Sequence, residues 1–135
     1  MSDPDAVPGA LPRLRYVALC SLVGFILGWL PMFLHGPIPE KYLILHIDGR
    51  IAVWGWYVAR LLIGFYVGIA AWPRVWFVRG ALWGFLSIFP LTIVSLATPG
   101  CGFPCMTLNL MSATSIGLAV AAIARFVTGR DSAWD

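Results

Sequence analysis

The sequence predicts an all-α integral membrane protein: one domain of four transmembrane helices, with the N- and C-termini both cytoplasmic. Composition is the first observation behind this. Of 135 residues, 60% are hydrophobic and 11% charged, against about 45–50% apolar and about 25% charged in ordinary soluble domains. A globule of this size leaves roughly a third of its unfolded surface in water, too much for a chain of mean hydropathy +0.86. The second observation is four long apolar runs, and the third is where the few charges fall between them. A soluble enzyme, a disordered tail and a nucleic-acid binder all fit poorly.

A bilayer core about 30 Å thick needs roughly 20 apolar residues in a helix. Residues 1–12 hold Pro4, Pro8, Pro12, Asp3 and Asp5 and read as a short flexible tail, as do residues 128–135. The first span, 16–34, carries no charge and follows Arg13 and Arg15. It exceeds the apolar region of about 7–15 residues in a cleaved signal peptide, and no A-x-A-like site follows, so it reads as an uncleaved anchor. The second span, 51–72, lies between Arg50 and Pro73. The third, 80–97, starts after Arg79 and closes at Thr98, Pro99 and Gly100; the fourth, 106–124, ends at Arg125. These are continuous apolar blocks, unlike the alternating segments of a membrane β-barrel.

Four crossings place Arg13, Arg15, Arg74, Arg79, Arg125 and Arg130 on one side. The other side has Lys41 and Arg50, offset by Glu40 and Asp48, and a last loop without charge. The positive-inside rule then makes the arginine-rich side cytoplasmic. Trp72, Trp76 and Phe77 near one boundary, and Trp54, Trp56 and Tyr57 near the other, suit interfacial belts. The loop from His35 to Arg50 includes the apolar Tyr42, Leu43, Ile44, Leu45 and Ile47. It is expected along the outer membrane surface or over the bundle.

Every span carries small residues four apart: Cys20, Gly24 and Gly28; Gly64 and Gly68; Gly80 and Gly84; Ala113, Gly117 and Ala121. In lipid such ridges let helix backbones approach, whether within the chain or against a partner subunit. Pro31 and Pro90 are expected to kink spans one and three, with Ser87 and Thr92 near enough to take up released backbone groups. A faint echo carries Gly24 and Gly28 onto Gly80 and Gly84, which we attribute to chance rather than to an internal repeat.

Arg60 is the sharpest candidate functional residue. At 1.5 Å per residue it lies about 14 Å into span two, close to the midplane, where a guanidinium costs about 2.5–3.5 kcal/mol. No span contains an acidic residue, so its side chain is expected to reach outward, toward Glu40, Asp48, the last loop or water. Trp56 lies one turn above it, and Gly64 and Gly68 continue its face. Three roles are open to this face: bonding to helix carbonyls, hydroxyls or a lipid headgroup; contact with a partner subunit or cofactor; and an anionic substrate path.

Cys101 and Cys105 flank Gly102, Phe103 and Pro104 in the last loop. Outside the cytoplasm disulfides persist, so this pair is the disulfide candidate, a staple for a tight turn. Soft-metal capture, with Met106, Cys20 or Met32 contributing, is the other chemistry these residues offer. His35 and His46 are a weak metal signal, better suited to interfacial hydrogen bonding, and Asn109 reads as interhelical glue. Phosphate-cradling loops, zinc-protease and nucleophile-elbow motifs and intramembrane carboxylates are missing from the sequence.

These features point to a small non-catalytic accessory or structural subunit of a larger membrane complex of respiratory or photosynthetic type, in a bacterial inner (cytoplasmic or intracytoplasmic) membrane. No catalytic residue, metal or cofactor is required. The 14% aromatic content is available to lipid, pigment or other transmembrane subunits, with Arg60, Trp56, Gly64 and Gly68 as contacts. The alternative is a small transporter, or a thiol or soft-metal handling protein, using Cys101, Cys105 and Arg60.

Overall fold

The computed structural model describes residues 10–35, 49–96 and 102–135. Those residues form six α-helices and no strand: α1 (Ala10–Gly28), α2 (Leu30–His35), α3 (Gly49–Leu61), α4 (Ile63–Ile69), α5 (Trp76–Leu96) and α6 (Gly102–Thr128). Glu40, Lys41, His46 and Asp48 of the first loop, and Cys101 of the last, lie outside the described residues, as does the head of the chain up to Gly9.

α1, α5 and α6 are each long and apolar enough to cross a membrane. The segment expected as span two is divided between α3 and α4, and its apolar stretch, Trp54–Ile69, is shorter. The division is slight. The Leu62 amide donates to the Val58 carbonyl and the Tyr66 amide to the Leu62 carbonyl, both at 3.0 Å. The i to i−4 ladder thus passes through the junction.

The prolines act differently from each other. Near Pro31 the ladder tightens: the Trp29 amide donates to the Ile26 carbonyl, three residues back, at 3.4 Å, and α1 ends there. A proline ring crowds the carbonyl four residues earlier, which accounts for the break. Pro90 instead stays inside α5. Its missing amide removes the i to i−4 bond to the Leu86 carbonyl, and Ser87 and Thr92 do not replace it. Their hydroxyls donate to the Gly84 and Phe89 carbonyls, at 2.8 and 2.7 Å.

Two antiparallel pairs make up the bundle: α1 packs on α4, and α5 packs along α6. Glycine decides both. A Cβ built on Gly24 would strike the Gly64 backbone, and one on Gly64 would strike the Cys20 carbonyl. In the second pair a Cβ on Gly80 would sit 2.6 Å from the Gly117 carbonyl oxygen, and Gly84 abuts Ala113. The ridges read from the sequence are therefore used within the chain. Apolar side chains gain little by leaving lipid, so close backbone approach dominates here. The core accordingly holds small residues such as Ala113, Ala121 and Ala124, while Phe33, Phe103 and Phe126 point outward.

The final segment departs from the flexible tail expected. Gly129 ends α6 with φ +67°, a conformation that glycine adopts without strain. Residues 130–135 then turn back against the bundle, burying Ser132 and Ala133. An apolar anchor explains the difference: Trp134 at its end finds a carbonyl and a cation on other elements.

Candidate functional site

Two guanidiniums are buried among the described residues, and they define the chemistry of the bundle. Arg60, in the last turn of α3, is 7% exposed. Its Nη2 donates to Oδ1 of Asn109 on α6, and its Nε has no acceptor among the described residues. Asn109 lies within two turns of the start of α6, next to the last loop, so the side chain extends the way its helix direction dictates. The expected interhelical glue, Asn109, thus bonds the very arginine that needed a partner. A hydrogen bond with one charged member contributes about 1.5–3 kcal/mol.

The other residues grouped with Arg60 serve the packing around it. Trp56 is half-buried against the hydrophobic core. Gly64 meets Cys20 and Gly24 of α1, and Gly68 meets Val17 and Cys20, with a hypothetical Cβ 3.1 Å from the Cys20 Cβ. Gly28 lies against the Arg60 backbone, 3.2 Å from its carbonyl by the same measure. These positions are helix–helix contacts inside the chain.

Arg79 is the second cation and is fully buried. The sequence places it in a loop before span three, whereas α5 begins at Trp76 and carries it into the bundle. Its Nη2 donates to the Tyr16 hydroxyl at 3.3 Å and its Nη1 to the Pro73 carbonyl at 3.4 Å, while Nε has no acceptor. Tyr16 donates onward to the Asp131 carbonyl at 3.1 Å. One chain of hydrogen bonds thereby joins α5, α1 and the segment after α6. The available signal was Pro73: a helix that restarts soon after a proline includes Arg79 in its first turn.

The groups around this cluster are aromatic and ionic. Trp134 Nε1 donates to the Ile69 carbonyl at 3.1 Å, and the Arg13 guanidinium stands 5.2 Å from the Trp134 ring centroid. Arg125 lies 5.3 Å from the Trp76 ring centroid and forms an ion pair with Asp131 at 3.1 Å. Trp83 Nε1 donates to the Trp72 carbonyl at 2.8 Å, closing the turn before α5. Among the described residues, no carboxylate pairs with either buried guanidinium.

The cysteines do not form one constellation. Cys20 is buried and free, one turn from Tyr16. Cys105 sits in the first turn of α6, at the opposite end of that helix from the Tyr16–Asp131 contact. At about 1.5 Å per residue the helix separates the two ends by more than 30 Å, so Cys20 does not join Cys105 in a soft-metal site. The expected Cys101–Cys105 staple depends on Cys101, outside the described residues. On the outer face of α5 and α6, Phe85, Phe103, Met106, Leu110 and Met111 line an open apolar groove of about 450 Å³.

No protein-family model, curated protein or solved structure matches this chain.

Proposed function

We propose that the protein is a small non-catalytic subunit that braces a larger membrane assembly, its own bundle complete and its outer surface turned to lipid and to neighbouring transmembrane subunits. In this reading the chain crosses four times, α3 and α4 together making one crossing. The end bearing Arg13, Arg15, Arg74, Arg79, Arg125 and Arg130 faces the cytoplasm of a bacterial inner membrane, following the positive-inside rule. One observation carries the proposal. The small-residue ridges and the buried guanidinium of Arg60 are engaged inside the chain, which leaves exposed Trp54, Phe65, Phe89, Phe103 and Phe126 as the surface on offer. Arg60 then acts as an internal brace.

Extraction in a mild detergent is expected to retain the chain in a large complex with other membrane proteins. A single-component particle after native extraction, with no co-purifying subunit, would refute the proposal. A second reading rests on the two buried cations, which pair with no carboxylate among the described residues: a small carrier of an anionic solute. Vesicle uptake that requires Arg60 separates it from the first. We further propose that Cys101 and Cys105 form a disulfide outside the cytoplasm. Peptide mapping without reductant is expected to show their shared peptide two hydrogens lighter than after reduction, and an unchanged mass would exclude the bond.

A further inference from the structure

We infer that the segment after Gly129 is a releasable strap, and that it covers an oxyanion-binding site built on Arg79 and Tyr16. The site has a specific chemical gap. Arg79 is fully buried with a neutral hydroxyl and a carbonyl as its acceptors, both at 3.3–3.4 Å, and with Nε unpartnered. A guanidinium presents five donors in a planar fork matched to phosphate or carboxylate. An oxyanion would supply both the missing acceptor and the missing negative charge.

The strap occupies the position such a ligand needs. Its Asp131 carbonyl accepts the hydrogen bond of the Tyr16 hydroxyl, and the next residues, Ser132 and Ala133, are buried. When it lifts, the phenol loses that acceptor and is free to donate to a ligand beside Arg79. Beyond the small buried Ser132 and Ala133 and the Tyr16 bond, the strap is held at its edges. The Arg125–Asp131 pair is about half exposed on both sides, 48% and 44%, and exposed pairs are weak. Trp134 is 54% exposed, held by the Ile69 carbonyl and the Arg13 guanidinium. The pivot is Gly129, in the left-handed region at φ +67°.

The charged groups in contact with the strap come from two helices and from the strap itself, which also carries Asp135 at its end. They are Arg13 from α1, Arg125 from α6, and Asp131 from the strap, whose carboxylate already belongs to Arg125. Opening therefore uncovers a predominantly cationic mouth.

The test is arginine modification by phenylglyoxal on the purified full chain in nanodiscs, mapped by mass spectrometry. In the unaltered chain Arg79 is expected to react about tenfold more slowly than Arg130, as buried groups exchange only through local opening. Trp134→Ala should raise the Arg79 rate several-fold and leave Arg60, remote from the strap, unchanged. Should Trp134→Ala also expose Arg60, the bundle itself has loosened, and Arg13→Ala, which removes only the cation over the ring, replaces it. With the strap loosened, inorganic phosphate in phosphatidylcholine discs is expected to protect Arg79 if the ligand is a free anion. Protection in phosphatidylglycerol discs without added phosphate identifies a lipid headgroup instead. Arg79 rates unmoved by both variants overturn the strap, and faster modification with no protection in either setting overturns the anion site.

Discussion

Gly64→Ala is expected to destabilise the folded bundle by about 3 kcal/mol, the upper end of what overpacking costs. A methyl at Gly64 meets the Cys20 carbonyl and the Gly24 backbone, neither of which can rotate away, so α1 and α4 must separate along their contact. Gly68→Ala should cost less, because its nearest obstacle is the Cys20 side chain at 3.1 Å. Gly55→Ala provides the opposite sign. Nothing lies within 4 Å of a Cβ there, and alanine in a helix interior is favoured over glycine by about 1 kcal/mol. Unfolding in mixed micelles, followed by circular dichroism, should rank the three in that order. Equal losses at Gly64 and Gly55 would mean that α1 and α4 do not meet through glycine.

Asn109→Leu is expected to be more damaging than Arg60→Leu, though the arginine is the larger and rarer residue at this depth. Removing the asparagine leaves a buried guanidinium with an unpartnered Nη2 in addition to its unpartnered Nε, at a cost of about 2–3 kcal/mol. Removing the arginine leaves only a neutral amide and abolishes the cost of holding a cation in the bilayer. The double variant, Arg60→Leu with Asn109→Leu, should recover most of the stability lost in Asn109→Leu, since replacing both members of a buried polar pair is often near neutral. The same unfolding assay completes the double-mutant cycle. Losses that simply add would show that the two residues do not interact.

The class of the molecule and the position of its long helices were legible because both follow from local composition. An apolar run of bilayer length becomes a helix whatever its neighbours are, since its backbone groups have no other partners in lipid. The boundaries were less legible. The apolar run begins at Gly80 and so places Arg79 in a loop, yet α5 starts at Trp76 and buries it. The segment after α6 differs from its expected form for a related reason. Its composition is that of a tail, and only the contacts of Trp134 and Asp131 with distant elements hold it down.

The candidate site divides in the same way. Arg60 stood out as a charge within an apolar run, and Asn109 as a polar residue in another. That they bond each other depends on how α3 and α6 are rotated and placed. Tyr16 and Arg79 sit on helices far apart in sequence, and nothing in either helix announces the other.

By itself, then, the sequence determined that this chain is helical, apolar enough for a membrane, and ridged with small residues on every span. Tertiary structure alone decided that Gly24 faces Gly64, that Gly80 and Gly84 face Ala113 and Gly117, and that the buried Arg79 is linked through Tyr16 to the final segment. The reason is physical. In water, hydrophobicity tells a helix which face to bury. In lipid every face is equally apolar, so the choice passes to shape and hydrogen bonding, which exist only between helices and not along them.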